Sequence, residues 1–201
     1  MSDEDMLKDE FSELHYITPI FNVESILRFG ILCNKEAAKL PHHSIADDEI
    51  QERRQDKRLP NGLTIHRCAN VYFYARNAMM YRRQALHRSI CVLRINPSVL
   101  DIDRVLVSDR NASRDLVRFG TPDEMIPLLK FTDIFRKSWD VGDEAERYRL
   151  KGTMCAEVLV PNRIDPCYIM GAYASCAESL AELLRMAPAL DVRVNPDLFF
   201  Q

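Results

Sequence analysis

The stretch MCAEVLVP, residues 154–161, has the length and apolar character of a β-strand in the core of a sheet. Glu157 is its single charged residue. A carboxylate at this position faces the core, a solvated sheet surface or a cleft, and its burial without a partner is costly. At a sheet edge the same glutamate would only discourage association between edges, so the strand alone leaves its role open.

Further stretches of the chain predict a mixture of strands and helices. Predicted strands cover residues 14–18, 70–75, 89–95, 105–107, 156–161, 167–173 and 192–194, and predicted helices cover 22–30, 112–119, 122–130 and 175–187. They do not alternate regularly, which disfavours a doubly wound parallel sheet. We predict an α+β fold, a strand-rich mixed core with flanking helices, in a single domain over residues 1–201.

The composition fits one globular domain. The chain has 201 residues, of which 47% are hydrophobic and 28% charged. No apolar run approaches the ~20 residues that span a bilayer, and the acidic start MSDEDMLKDEF is unlike a secretory signal. We therefore expect a cytoplasmic protein without a membrane partner. The six cysteines form no C-x-x-C pair, so we also expect no metal.

The charge distribution indicates an anionic ligand. From Arg53 to Arg118 the chain has 14 Lys and Arg against 5 Asp and Glu, a net charge of +9, and the remainder has a net charge of −12. A basic segment between acidic ends is typical of a surface that binds a polyanion. The familiar phosphate-binding and hydrolase motifs, such as G-x-G-x-x-G and G-x-S-x-G, are absent, which argues against the usual dinucleotide folds.

The charged stretch SIADDEIQERRQDKR, residues 44–58, predicts a helix with little apolar surface. Ser44 and Asp47 match a capping box at its start. Arg53 has a glutamate four residues earlier, which is the spacing of an exposed helical ion pair. Arg54 has an isoleucine at that spacing and lies near the apolar side. We predict that the Arg54 guanidinium points inward, toward an anion.

Several polar and aromatic residues have both a structural and a functional interpretation. His15, inside the first strand, is either a histidine satisfied by the backbone or a ligand-binding residue. Tyr72, Tyr74 and Tyr81 are most simply packing residues. With nearby cations they would instead form a stacking surface for single-stranded nucleic acid. These cations are Arg76, Arg82 and Arg83.

Read in order, four segments resemble the DarT family of DNA ADP-ribosyltransferases. They are H-Y-I-T (15–18), a helix between Asn22 and Gly30, S-I-A-x-x-x-I-Q-E-R-R (44–54) and A-E-V-L-V (156–160). I-Q-E-R-R is the most specific of them. The resemblance implies an ADP-ribosyltransferase-like fold and an enzyme that attaches ADP-ribose from NAD to a base in single-stranded DNA. It also implies the toxin of a toxin–antitoxin pair, whose antitoxin we expect to be a hydrolase that removes ADP-ribose.

The resemblance also implies roles for residues at matching positions. Arg54 and Glu157 would be the catalytic residues. The residues that would bind NAD are His15, Tyr16, Ile17, Thr18, Asn22 and Arg54. We expect DNA contacts at Tyr74, Arg76, Arg82 and Arg110. The stretch from about Val107 to Glu157 would correspond to the loop that presents DNA.

The residue types suit this chemistry. Breaking the bond between nicotinamide and ribose builds positive charge on the ribose, which a carboxylate such as Glu157 stabilises directly or through a hydroxyl group. An arginine stays protonated at physiological pH. Arg54 is therefore better suited to holding the pyrophosphate and polarising the acceptor base than to removing a proton.

Departures from the family pattern bear on the acceptor base. Where many relatives have H-D-Y-V-P-F-Y-F and C-P-R-S-P-M-L-Y, this chain has HRCANVYFY (66–74) and ARNAMMY (75–81). These departures favour guanine over thymine. Two other functions remain open: an NAD-dependent transferase acting on RNA or protein, and a non-enzymatic nucleic-acid-binding module. The binding module gives no reason for Glu157 and predicts that NAD has no effect.

Overall fold

The structure is a computed structural model that describes residues 11–46 and 48–201. Its strands are β1 (Leu14–Pro19), β2 (Ile31–Leu32), β3 (Cys68–Tyr72), β4 (Ile90–Ile95), β5 (Leu106–Ser108), β6 (Phe119–Gly120), β7 (Glu157–Pro161), β8 (Arg163–Ile164), β9 (Ile169–Ala174) and β10 (Val192–Val194). Its α-helices are α1 (Val23–Phe29), α2 (Asn34–Ala37), α3 (Asp48–Gln55), α4 (Ala78–Arg82), α5 (Pro122–Met125), α6 (Phe131–Ile134), α7 (Glu144–Thr153) and α8 (Ala177–Met186). Short 3-10 turns lie between them.

Eight strands form one mixed sheet in the order β10-β9-β4-β1-β3-β7-β5-β6, and β2 and β8 form a separate antiparallel pair. Within the large sheet only β9 and β10 run parallel, and the other neighbouring strands are antiparallel. This architecture confirms the predicted α+β class with a strand-rich mixed core. Single-domain organisation stays a prediction.

The sheet buries apolar side chains on both faces because residues of a strand alternate between faces. On β7, Val158 and Val160 join the largest buried cluster, whereas Leu159 packs on the opposite face with Leu106 and Cys68. Glu157 shares the face of Leu159. The register of this strand therefore directs the glutamate away from the main core.

Several predicted elements are confirmed. The strands at 14–18 and 89–95 differ from β1 and β4 by one residue at one end, the strand at 105–107 is β5 shifted by one residue, and the strand at 192–194 is β10. The predicted helix before Gly30 is α1. Gly30 ends it with a φ of 84°, and a Cβ there would clash with the Ile164 carbonyl oxygen.

Other predictions were wrong or inaccurate. In place of the predicted helix at 112–119, residues 112–116 form turns and Phe119 begins β6, because the Asn111 side chain accepts hydrogen bonds from the Ser113 backbone N–H and hydroxyl. Helix α5 ends at Met125 and becomes a 3-10 turn at Ile126–Leu128, where Pro127 supplies no N–H.

The charged helix is shorter than predicted. Helix α3 begins at Asp48, and Ser44 lies before it with its hydroxyl accepting from the Ala46 N–H. Asp47, the other residue of the predicted capping box, lies outside the described residues. The predicted strand at 70–75 is β3, which begins earlier and ends at Tyr72.

Candidate active site

Glu157 is the first residue of β7 and lies between two neighbouring strands. It is paired in register with Tyr72 on β3 and with Ser108 on β5. The Ser108 hydroxyl donates to the Glu157 carbonyl oxygen at 3.3 Å. The Glu157 side chain has no exposed surface, so its carboxylate depends on partners within the protein.

Those partners are a guanidinium group and a backbone amide. Arg54 donates from Nη1 to Glu157 Oε1 at 3.1 Å and from Nη2 to Oε2 at 3.0 Å. The Ala112 N–H donates to Oε1 at 2.7 Å. Arg54 is 5% exposed. The inward orientation predicted for Arg54 is present, and its anion is a residue 103 positions away.

The pair keeps Arg54 charged. Burial alone would lower the pKa of Arg54, but the negative charge and hydrogen bonds of Glu157 outweigh burial and raise the pKa above its ordinary value. The Arg54 guanidinium is therefore held in its charged form, as a hydrogen-bond donor.

Arg54 lies on the wall of a cavity of about 480 Å³. Among the side chains that the structure describes, the wall carries the acidic residue Glu49 and six basic residues, Arg53, Arg54, Arg82, Arg83, Arg114 and Lys151. Glu157 is not on the wall, because Arg54 stands between its carboxylate and the cavity. A cavity of this size and charge suits an anionic ligand of nucleotide dimensions.

Two groups on the wall are buried without a hydrogen-bond partner. They are Nη1 of Arg114 and Nε2 of His66. Burial and the nearby Arg54 charge lower the pKa of His66, so its ring is neutral near pH 7. Unpaired buried polar atoms are uncommon in folded proteins. Here they offer a donor and, in one tautomer of His66, an acceptor to a ligand.

One wall of the cavity is a strap, which we define as residues 42–46. Asn22 grips the strap: its Nδ2 donates to the His43 carbonyl oxygen at 2.9 Å, and its Oδ1 accepts from the His43 N–H at 3.0 Å. Arg83 donates to the carbonyl oxygens of Ile45 and Ala46. Both ends of the Asn22 amide are therefore used within the protein.

Most of the predicted NAD-binding residues reach the cavity. Tyr16, Ile17, Thr18, Asn22 and Arg54 line it. His15 does not. Its Nδ1 accepts from the Ala75 N–H at 3.0 Å and its Nε2 lies 3.1 Å from Glu13 Oε1, so both ring nitrogens have partners in the protein.

The predicted DNA-binding residues are scattered. Arg82 lines the cavity, whereas Tyr74 packs edge-on against Phe135. Arg76 donates to the backbone carbonyl oxygens of Lys137, Asp197 and Phe199, and Arg110 is paired with Asp109. The structure does not bring these three side chains to the cavity wall. The stretch from Val107 to Glu157 is divided into β6, α5, α6 and α7 and is not one loop.

Sequence reasoning missed several residues of the wall. Arg114, Tyr148 and Lys151 line the cavity, and the Arg114 guanidinium carbon lies 3.9 Å from the ring centroid of Tyr148. Arg114 lies in the basic segment from Arg53 to Arg118, and its place there could have identified it as a residue of the cavity wall. Helix α7, which carries the other two, was not predicted because few of its residues are apolar.

Within residues 11–46 and 48–201, no group of three or more His, Cys, Asp or Glu side chains is arranged to hold a metal ion. Over the same residues, no helix has the length and apolar character needed to cross a membrane.

A buried glutamate in a mixed sheet, paired with an arginine on the wall of a basic cavity, places the chain among ADP-ribosyltransferase-like proteins. The chain belongs to the DarT family: the family model described as "ssDNA thymidine ADP-ribosyltransferase, DarT" matches residues 15–200.

Known relatives agree with this assignment. A DNA ADP-ribosyl transferase-DNA ADP-ribosyl glycohydrolase fusion protein of Thermosipho africanus is 29% identical over an alignment of 195 residues, and the alignment covers 94% of this chain and 49% of the relative. The chain thus spans about half the length of this curated relative.

Solved structures share the fold. Thermosipho africanus DarTG in complex with ADP-ribose matches with a TM-score of 0.83 and 27% identity, over 94% of this chain and 51% of that one. Thermus sp. 2.9 DarT in complex with ADP-ribosylated ssDNA matches with a TM-score of 0.80 and 22% identity, over 95% and 97%. The family description names thymidine, and the preference for guanine stays a prediction.

Proposed function

We propose that this protein is a cytoplasmic enzyme that transfers ADP-ribose from NAD to a base in single-stranded DNA. The observation that carries the proposal is the buried, bidentate pair of Arg54 and Glu157, which presents a fixed guanidinium to a basic cavity. Membership of the DarT family supports the choice of NAD and DNA.

The cavity suits NAD. The pyrophosphate of NAD is a dianion, and Arg54 and Arg114 are cations on the cavity wall. The unpaired Nη1 of Arg114 is a donor available to a phosphate oxygen. Tyr16, Ile17 and Thr18, at the end of β1, line the same cavity and would hold the ribose and nicotinamide. Asn22 would shape the pocket by holding the strap in place.

Bound NAD would supply a ribose carbon that becomes electrophilic as nicotinamide leaves. Arg54 is placed to donate hydrogen bonds to the acceptor base or to the pyrophosphate, and its charge is maintained by Glu157. Glu157 would act through Arg54 by fixing its orientation, because the carboxylate has no surface on the cavity. His15 would contribute indirectly, because its Nδ1 accepts a hydrogen bond from the Ala75 backbone N–H and so fixes that backbone.

The Thermosipho relative supports a toxin role. The Thermosipho relative joins a DNA ADP-ribosyl transferase to a DNA ADP-ribosyl glycohydrolase in one protein. We propose that the present chain is the toxin of a toxin–antitoxin pair and that the antitoxin is a hydrolase that removes the DNA-linked ADP-ribose. For the acceptor base, the family description makes thymine the first candidate and the departures in β3 and α4 make guanine the second.

The test is mass spectrometry of single-stranded oligonucleotides after incubation with the protein and NAD. A set of oligonucleotides, each lacking one base, identifies the acceptor, and RNA of the same sequence is run in parallel. We expect an ADP-ribose adduct on DNA that disappears when one base is omitted. An adduct on RNA alone, or none with any oligonucleotide, would contradict the proposal.

A further inference from the structure

An aromatic cluster beside the cavity takes no part in the site described above. Tyr81, Trp139 and Phe200 contact one another, with ring centroids 5.2–5.5 Å apart. We call these three residues the aromatic platform. Tyr81 is 43% exposed, and Trp139 and Phe200 are half-buried. Large rings gathered on a surface mark a site of interaction more often than isolated ones do.

The platform is held in a defined position. Arg76 donates to the carbonyl oxygens of Asp197 and Phe199, which fixes the C-terminal segment. The Arg76 guanidinium carbon also lies 4.1 Å from the ring centroid of Phe200. Arg76 was predicted from the sequence to contact DNA, but its hydrogen bonds give it the role of holding this segment. Rigid rings lose little entropy when a flat partner stacks on them.

The platform shares a border with the cavity. The Lys151 ammonium lies 5.6 Å from the ring centroid of Trp139, and Lys151 also lines the cavity. Arg82, which follows Tyr81 on α4, is another residue of the cavity wall. The acid next to Trp139, Asp140, is paired with Arg147 at 3.3 Å. Cations therefore stand between the rings and the cavity.

We propose that the aromatic platform stacks the base of a nucleotide adjacent to the acceptor nucleotide, while Lys151 neutralises a phosphate between them. This inference rests on the proposed transfer to single-stranded DNA. It adds a surface that would favour single-stranded over duplex DNA. Rings that alternate with cations match a single strand, which offers bases and phosphates in turn. In duplex DNA the faces of the bases are covered by their neighbours, so the platform favours single strands.

The position of the tryptophan makes a direct test available. Trp139 is the only tryptophan in the 201 residues, so fluorescence excited selectively at the indole, and not at the tyrosines, reports on the platform alone. Without NAD, the wild-type protein is titrated with a short single-stranded oligonucleotide containing one thymine and one guanine. A second oligonucleotide keeps those two nucleotides and every phosphate but has abasic sites elsewhere. We expect strong quenching by the first and little by the second.

Variants connect binding to the platform. Trp139→Ala should weaken binding of the labelled oligonucleotide, measured by anisotropy, and raise its KM about tenfold. Trp139→Phe should stay within about threefold of the wild type because it keeps a ring. Lys151→Gln should lower the salt dependence of binding by about one counterion. The matched control is Phe29→Ala, since Phe29 is 39% exposed beside Arg28 and does not line the cavity.

The outcomes separate the platform from the proposed reaction. If the wild type modifies DNA and Trp139→Ala has an unchanged KM for the oligonucleotide, the stacking role of the platform is overturned and the proposed reaction stands. Quenching by the oligonucleotide without any NAD-dependent adduct would support the platform and overturn the proposed reaction. If both oligonucleotides bind and quench equally, the surface contacts phosphates and not bases, which would overturn the proposed stacking. If the wild type neither binds the oligonucleotide nor modifies it, both the platform and the proposed reaction are overturned. The rings would then be a surface for a protein partner.

Discussion

The two faces of helix α3 place neighbouring arginines in opposite environments. Arg53 pairs with Glu49 at 2.5 Å, with side chains that are 60% and 68% exposed. Arg54 pairs with Glu157 at 3.0 Å, with side chains that are 6% and 0% exposed. Exposed pairs contribute little to stability, whereas breaking a buried pair leaves an uncompensated charge. The same residue type is therefore part of the solvated surface at one position and of the proposed site at the next.

A third pair is intermediate in burial. Arg94 donates to Glu13 at 2.7 Å, with side chains that are 13% and 16% exposed, and Glu13 also contacts His15. Burial alone would raise the pKa of Glu13, but hydrogen bonds with His15, Arg94 and Tyr173 outweigh it and lower the pKa to about 2. The three pairs form a series of increasing burial. We expect the loss of folding free energy on removing one partner to increase in the same order.

The largest effect is expected for Glu157→Ala. It leaves Arg54 buried without its anion, which should lower the free energy of unfolding by about 3–5 kcal/mol in urea denaturation. DNA modification should fall at least about 100-fold, since the guanidinium loses its fixed orientation. Glu157→Gln is the control that keeps the shape. Wild-type activity in Glu157→Gln would show that the negative charge is not needed.

The second-largest effect is expected for Arg54→Lys. The lysine keeps the positive charge but cannot make the two parallel hydrogen bonds to Glu157. We expect a fall in kcat of about 100-fold with a smaller loss of stability. The kcat and the melting temperature should be measured together. A variant that is folded and fully active would mean that charge alone is sufficient at this position.

The sequence predicted the inward orientation of Arg54 but not its partner. The isoleucine one turn earlier, Ile50, marks the less polar side of the helix, and that signal is local. Glu157 was singled out as a charge in an apolar strand, but pairing across 103 residues depends on strand register. The two residues were brought together by family resemblance and not by periodicity.

Helix α7 and the turn after Asn111 were hard to predict because side-chain hydrogen bonds, and not apolar periodicity, define them. Helix α7 starts at an Asp143 cap that accepts from the Glu146 N–H, and its sparse apolar residues give little helical pattern. The predicted helix at 112–119 failed because the Ala112 N–H donates to Glu157 and Asn111 organises the following turn. His15 lies off the cavity wall for a similar reason, since its ring is occupied by Ala75 and Glu13.

The intermediate pair gives a prediction about pH. Because the folded pKa of Glu13 lies below its ordinary value of 4.5, its contribution to stability is complete above about pH 5 and is lost as the pH falls toward about 2. Glu13→Gln should lower the free energy of unfolding by about 2 kcal/mol at pH 7. The difference from the wild type should shrink in urea titrations carried from pH 7 to pH 3. A difference that does not vary with pH would contradict the assignment.

The smallest effect is expected at the exposed pair. Arg53→Ala should change the free energy of unfolding by less than about 0.5 kcal/mol. Any effect on activity should appear in the KM for NAD, because Arg53 lines the cavity. Urea denaturation measures the free energy of unfolding, and initial rates over a series of NAD concentrations measure the KM. A loss of stability comparable to that of Glu157→Ala would remove the distinction between the two faces of α3.

The most direct measurement compares two glutamates that each pair with an arginine of α3. Single-stranded DNA is incubated with NAD and wild-type protein, Glu157→Gln or Glu49→Gln, and the oligonucleotide mass is followed over time. We expect the wild type and Glu49→Gln to add ADP-ribose at similar rates and Glu157→Gln to add almost none, because the buried pair orients Arg54 for the reaction. Equal rates for the two variants would contradict that assignment.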